Sequence, residues 1–254
     1  MDEYLSGIAN LLVGKNENSA CIELFKLGPK LKFTQDNLIA VTALSADVYL
    51  DDKLFSLNEA FEVKAGQELD IQKIKKGNFA YLAFAGDIQV KTTEVSKSFH
   101  ASLTKNSRLQ KNEMYPINVS NRLSSADNYA QLKVNSQYYE DDIIHVFPGA
   151  EFDRLTEENQ ELLFDKTWQL SGNLTRMAFQ LESTIEHQLE EILTSAVFPG
   201  TVQLNHSGEL TILMKDAQTT GGYPRVLHVI DEDLKKLAQK QTGKAIRFQR
   251  VKPD

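Results

Sequence analysis

Apolar and polar positions alternate in short runs along most of this chain, and turn-forming residues break the runs every few positions. A period of two, bounded by Gly, Asn, Asp and Lys, predicts many short strands and few helices. Helical spacing surfaces first at Leu5, Ile8, Ala9 and Leu12, which fall at i, i+3, i+4 and i+7. They predict a short amphipathic helix with Asp2 as its N-cap and Gly14 as its stop. Between Ala20 and Val90, strands are predicted over 38–41, 47–50, 61–63 and 69–71, with turns at Ala65-Gly66 and Lys76-Gly77-Asn78. Strands at this spacing suit a sandwich or a small barrel.

Residues 91–137 are more polar, rich in Ser, Asn and Lys, and read as a long connection. The pattern then resumes with a strand over 143–147, a helix capped by Thr156 and further strands to Ile230. A helix capped by Asp231 and ended by Gly243 precedes a last strand over 245–251. The chain is thus organised as a first β half over 1–97, a polar connection over 98–138 and a second β half over 139–254. One segment is ambiguous, because Ile185, Leu189, Ile192 and Leu193 have helical spacing inside an otherwise strand-rich half. A faint repeat relates 65–74 to 242–251, each a glycine turn feeding an alternating strand.

The stretch Asp216-Ala217-Gln218-Thr219-Thr220-Gly221-Gly222-Tyr223-Pro224 interrupts this regularity. It separates two apolar runs that read as buried strands, 210–214 and 226–230. A glycine pair beside two hydroxyls, an amide and a carboxylate fits either of two roles. One is a tight Gly-Gly hairpin with threonines capping the turn. The other is a loop with φ > 0 at Gly221 or Gly222 that presents donors to a small anion or amide.

Composition narrows the classes. A chain of 254 residues that is 41% hydrophobic and 25% charged can bury a sizeable core. Its net charge of −7, with no long basic run, argues against nucleic acid as a partner. The lone Cys21 opens an alternating run and reads as a strand cysteine, consistent with a reducing cytoplasm. The acidic start lacks a long apolar run, so neither a signal peptide nor a membrane span is expected. The five histidines, His100, His145, His187, His206 and His228, make no close ligand pair, so no metal is expected. His145 and His228 lie in apolar strands and read as structural. No phosphate loop or Gly-x-Ser-x-Gly occurs.

The nine-residue stretch closely resembles the Asp-Arg-Gln-Thr-Thr-Gly-Gly-Tyr-Pro signature of the family that joins allophanate hydrolase subunit 2 with the C subunit of 5-oxoprolinase. Other motifs follow in that family's order: 9–14 and 27–33, Ala80-Tyr81-Leu82-Ala83-Phe84-Ala85-Gly86, Phe147-Pro148-Gly149, Arg176-Met177 and Phe198-Pro199-Gly200-Thr201-Val202-Gln203. The resemblance implies a mainly β chain with a few short helices, built as two cyclophilin-like β-barrel domains. It also implies strands and a loop, rather than a helix, over 185–193.

This chain departs from the family at glycines and charged residues. The signature arginine is Ala217, a Thr-Gly-Ala-Asp-like turn is Thr42-Ala43-Leu44-Ser45, and no glycine lies between Ile88 and Pro148 where the family has a glycine-rich segment. Arg108 and Arg122 remain there, but side chains alone do not rebuild a backbone anion nest. The family also carries a further stretch, with a Gln-Asp-x-Gly-Arg motif, ahead of the Met1-Asp2 pair.

The first function implied is hydrolysis of 5-oxoproline to glutamate, coupled to ATP, with companion 5-oxoprolinase subunits, above all a protein like the B subunit. Opening a lactam requires stabilising charge on the amide oxygen and delivering a nucleophile. Gln218, Thr219, Thr220 and the Gly221 and Gly222 amides are the candidate donors. Tyr223 lies beside them, Asp216 is the candidate base or orienting group, and Arg176 the candidate carboxylate clamp. A second reading is a non-catalytic partner that antagonises a kinase inhibitor. A third is a biotin-dependent carboxyltransferase acting on urea or another amide, with its biotin on another chain.

Overall fold

The computed structural model describes residues 1–90, 96–99, 103–118 and 134–251. The chain divides into two compact units, one of Glu3–Val134 and one made of Met1–Asp2 together with Asn135–Asp254.

In the first unit, α1 (Glu3–Leu12) is followed by β1 (Ile22–Phe25), β2 (Lys30–Lys32), β3 (Asn37–Thr42) and β4 (Ser45–Leu50). Then come β5 (Lys53–Phe55), β6 (Ala60–Val63), β7 (Glu68–Lys76), β8 (Phe79–Phe84) and the short pair β9 (Asp87–Ile88) and β10 (Ile117–Asn118). Two antiparallel four-stranded sheets form, in the orders β1-β8-β3-β6 and β2-β7-β4-β5. Ile39, Val41, Leu82 and Phe84 of one sheet share a core with Val48, Leu69, Ile71 and Ile74 of the other. Each such side chain contributes about 1.5–3 kcal/mol by leaving water. Every residue of β8 is buried, because α1 packs on β8 and β3 and the Thr42 hydroxyl donates to the Leu5 carbonyl at 2.8 Å. The helix stops as its sequence predicts, with Gly14 at φ 74° and its N–H on the Leu11 carbonyl at 3.0 Å. Cys21 is half-buried, and burial, reinforced by the Glu23 carboxylate, pushes its thiol up to about 11. Arg108 is exposed, whereas His100 and Arg122 lie outside the described residues.

The second unit is built on a closed barrel. Its elements are α2 (Ser136–Glu140), β11 (Ile143–Pro148), α3 (Glu157–Asp165), β12 (Trp168–Leu174), β13 (Ala178–Thr184) and β14 (Ser195–Ala196). They continue with β15 (Thr201–Leu204), β16 (Glu209–Leu213), β17 (Thr220–Gly221), β18 (Arg225–Val229), α4 (Asp231–Ala238) and β19 (Ala245–Arg250). Seven strands close in the order β11-β18-β15-β16-β13-β12-β19. The seam is the parallel pair β11 and β19, with Ile143 opposite Arg247 and Val146 opposite Arg250. Ile144, Leu170, Phe179, Val202, Ile212, Leu227 and Ile246 are fully buried. Thr156 caps α3 by accepting from the Asn159 N–H, and the Trp168 indole donates to the Leu163 carbonyl at 3.1 Å. The two strand-rich halves and the barrel match the cyclophilin-like architecture expected from the sequence.

Two local expectations are corrected. Asp231 is the first residue of α4 rather than its cap, which is Ile230, and the helix ends at Ala238. Gly243, at φ 75°, instead turns the chain into β19, just as Gly66, at φ 94°, leads into β7. The repeat seen in sequence is therefore a repeated turn and strand. The segment after β13 is extended rather than helical. Its hydrogen bonds explain this: the Ile185 N–H bonds to the Gly208 carbonyl at 2.9 Å, and His187 bridges the Asn205 carbonyl at 2.8 Å to the Leu189 N–H at 3.0 Å. Partners outside the segment hold it open against its helical spacing.

Candidate functional site

The loop between β16 and β18 lies at one end of the barrel. It begins with a turn in which the Ala217 N–H returns to the Met214 carbonyl at 3.0 Å. The turn docks on the β12–β13 hairpin, since Met214 N–H donates to Met177 and Asp216 N–H to Arg176, each at 2.9 Å. Thr175 shapes that hairpin tip, its hydroxyl accepting from the Met177 and Ala178 N–H groups at 3.2 Å. Arg176 is thereby placed against Asp216, Nε to Oδ2 at 2.7 Å and Nη2 to Oδ1 at 3.0 Å. Such a fork is the strong geometry for guanidinium and carboxylate.

Beyond Ala217 the loop runs as a strand. Thr220 and Gly221 form β17, paired with Ala196 and Ser195 of β14. The Val197 N–H donates to the Thr219 carbonyl at 3.0 Å and the Ile192 N–H to the Gly222 carbonyl at 2.8 Å. Neither glycine takes a left-handed φ. The expectation of φ > 0 at Gly221 or Gly222 is therefore corrected, and the stretch is no tight Gly-Gly hairpin. Close approach is the reason for glycine at 221, where an added Cβ would stand 2.6 Å from Nε2 of Gln203.

Gln203 lies in β15 and is buried. Its Oε1 accepts from the Gln218 amide at 3.3 Å, and its Nε2 donates to the Tyr223 carbonyl at 3.4 Å. Behind the loop, Arg225 makes a fork with Glu151, Nε to Oε2 at 2.9 Å and Nη2 to Oε1 at 2.8 Å. The Arg225 backbone N–H also reaches Glu151 at 2.9 Å. Nη1 reaches the Ala196 carbonyl at 3.1 Å, which ties the ion pair to the strand that pairs with Thr220. The Arg225 guanidinium holds the Glu151 carboxyl below its ordinary range. Glu151 sits where it does because Gly149 lets β11 pass close to β18: an added Cβ there would lie 2.1 Å from the Arg225 carbonyl oxygen.

The result is an exposed donor array on a fixed backbone. Gln218, Thr219 and Thr220 are exposed. Among the described residues, the N–H groups of Gln218 and Thr219 and the hydroxyls of Thr219 and Thr220 have no hydrogen-bond partner. Tyr223 is exposed and its ring centroid lies 6.5 Å from that of His206. The structure brings together all eight residues singled out in the sequence, with Arg176 and Asp216 engaged with each other at one end. His145 lies elsewhere, its Nδ1 2.8 Å from the buried Asp233, and burial holds His228 below its ordinary value. Among the described residues, no group of three or more His, Cys, Asp or Glu is placed to hold a metal ion, and no helix is long and apolar enough to cross a membrane.

Gln203, Glu151 and Arg225 were not singled out as site residues. A glutamine in a strand whose four residues are all buried was the available signal, since a buried amide requires partners. Nothing in the spacing of Glu151 and Arg225 pairs them.

The chain matches the family described as carboxyltransferase domain, subdomain A and B, over residues 1–250. It is 33% identical to the 5-oxoprolinase C subunit of Escherichia coli (strain K12) across 95% of this chain and 78% of that protein. The 5-oxoprolinase C subunit of Haemophilus influenzae is 32% identical across 99% of this chain and 81% of its own length. The crystal structure of the K. lactis urea amidolyase shares the fold with a TM-score of 0.82, at 23% identity, over 99% of this chain and 17% of that one.

Proposed function

The chain belongs to the carboxyltransferase domain family, subdomain A and B, and on that premise we propose that it serves as the C subunit of an ATP-dependent 5-oxoprolinase. The observation that carries this reading is the exposed array at Gln218, Thr219 and Thr220, where the N–H groups of Gln218 and Thr219 and the hydroxyls of Thr219 and Thr220 lack partners among the described residues. Donors fixed in advance around an amide oxygen stabilise the charge that develops there as a lactam opens. Arg176 is the carboxylate clamp, and Asp216 orients it or acts as the base. In this reading ATP is used by the complex as a whole, with a protein like the B subunit as the first expected partner, in the cytoplasm.

The test is reconstitution. Purified protein with its companion subunits should consume ATP only when 5-oxoproline is supplied, and release glutamate. Failure with every combination of subunits overturns the reading.

A second reading, a non-catalytic partner that neutralises a kinase inhibitor, is favoured by one observation. Met177, Leu193, Phe198 and Tyr223 are exposed on segments within or hydrogen-bonded to the loop region. Exposed apolar side chains gathered around polar groups mark association surfaces. A stable complex with an inhibitor-like protein, without turnover, would select this reading.

A further inference from the structure

We propose that Gln203 is the positioning residue of the donor loop: its one carboxamide spans the loop from Gln218 to Tyr223 and fixes the shape in which Thr219 and Thr220 present their donors. The inference rests on the reading of this loop as the ligand-binding element.

Four observations carry it. Gln203 is only 3% exposed, so its amide cannot be satisfied by bulk water. Its two polar atoms reach opposite ends of the loop, the oxygen to the Gln218 side chain at 3.3 Å and the nitrogen to the Tyr223 carbonyl at 3.4 Å. The backbone between those ends passes close over the carboxamide, since a Cβ added at Gly221 would stand 2.6 Å from Nε2 of Gln203. Gln203 is itself immobilised by ladder pairing on both sides, opposite Thr211 in β16 and Arg225 in β18. A rigid strand thus carries the template and the loop is laid on it.

The geometry separates the two ends chemically. Gln203→Met keeps the volume and removes both contacts. Gln203→Glu keeps an acceptor for Gln218 but sets a carboxylate oxygen against the Tyr223 carbonyl, where no hydrogen bond can form.

Amide hydrogen exchange on the 254-residue chain is the primary test. Gln203→Met should speed exchange of the Val197 and Ile192 amides, which donate to the Thr219 and Gly222 carbonyls of the loop, by about tenfold, while β11 and β19 exchange as in the wild type. Gln203→Glu should confine the acceleration to Ile192, whose partner Gly222 adjoins Tyr223. In the reconstituted complex, Gln203→Met should lower kcat about tenfold with the KM for 5-oxoproline little changed, because the donors it shapes act on charge that develops in the transition state. Unchanged exchange of the Val197 and Ile192 amides in both variants, equal acceleration throughout the barrel, or a rise in KM at constant kcat would each overturn the proposal. A wild-type complex that turns over nothing would count against the substrate, and exchange alone would then decide the role of Gln203.

Discussion

Arg176 and Asp216 hold each other twice over, through the side-chain fork at 2.7 and 3.0 Å and through the backbone bond from Asp216 to the Arg176 carbonyl at 2.9 Å. The backbone bond fixes the hairpin against the loop whatever the side chains do. The fork can therefore open toward a ligand without unfolding the site. Under the proposed role of Arg176 as a carboxylate clamp, an arriving carboxylate would compete with Asp216, which is already seated there.

Arg176→Ala should leave stability within about 1 kcal/mol, because the pair is partly exposed to solvent. Binding of a carboxylate-bearing ligand should fall about tenfold or more. Arg176→Lys should recover little of it, since a point charge cannot reproduce the fork. Calorimetric titration of the three proteins measures the loss of binding, and urea midpoints measure the stability.

The two loop glycines should separate in their response to alanine. Gly222→Ala meets nothing closer than the Ile192 carbonyl oxygen at 3.4 Å and should shift stability by no more than about 0.5 kcal/mol. Gly221→Ala drives into Gln203 and should cost about 1–3 kcal/mol. Urea midpoints would show the contrast, and equal midpoints would contradict the packing described.

Ala217 stands where the family signature has arginine, next to the Arg176–Asp216 pair. Ala217→Arg should tighten binding of a carboxylate ligand about tenfold, the worth of one charge-assisted hydrogen bond. Titration with a mono-carboxylate against its amide isolates the charge effect.

Acid should act through Glu151. Its carboxyl is held below the ordinary 4.5, first by the Arg225 hydrogen bonds. Below 4.5 the unfolded chain binds the proton before the folded one does. The stability conferred by the pair is therefore complete above that value and is lost as pH falls through the folded value. Urea unfolding between neutral pH and pH 3 should show Glu151→Gln losing less stability with acid than the wild type, while starting about 2 kcal/mol lower.

Cys21 should be slow toward disulfide reagents. Burial and the Glu23 carboxylate raise its thiol to about 11, and the thiolate is the reactive form. Ellman's reagent at pH 8 should label it slowly in the native protein and rapidly in urea.

Much of the fold was legible because alternation and turn glycines are local signals. The strands over 38–41 and 143–147, the stop at Gly14 and the cap at Thr156 follow from residues within a few positions of one another. The helix-like spacing at Ile185 to Leu193 misleads for the converse reason: its partners, Gly208, Asn205 and Gly222, lie outside the segment. The loop itself was legible as chemistry, and the structure brings its residues together. Its shape was not legible, because a glycine pair signals a turn in sequence whereas here the requirement at Gly221 comes from a side chain in a different strand. Gln203, Glu151 and Arg225 share that character, each meeting its partners only after distant strands pair.

The parallel seam between β11 and β19 has a consequence for the order of events in folding. The strand from Ile143 closes the barrel only against the strand that ends at Arg250, so the sealing contact spans nearly the whole unit. Contacts of such long range are made late and set a slow rate. The loop-bearing ladder of β15, β16 and β18 lies wholly between these two strands and can assemble while the newest part of the chain is still emerging from the ribosome. A protein caught at that stage would already display its donor loop on an open, unsealed sheet, and a fault in β19 would register as loss of yield before loss of recognition.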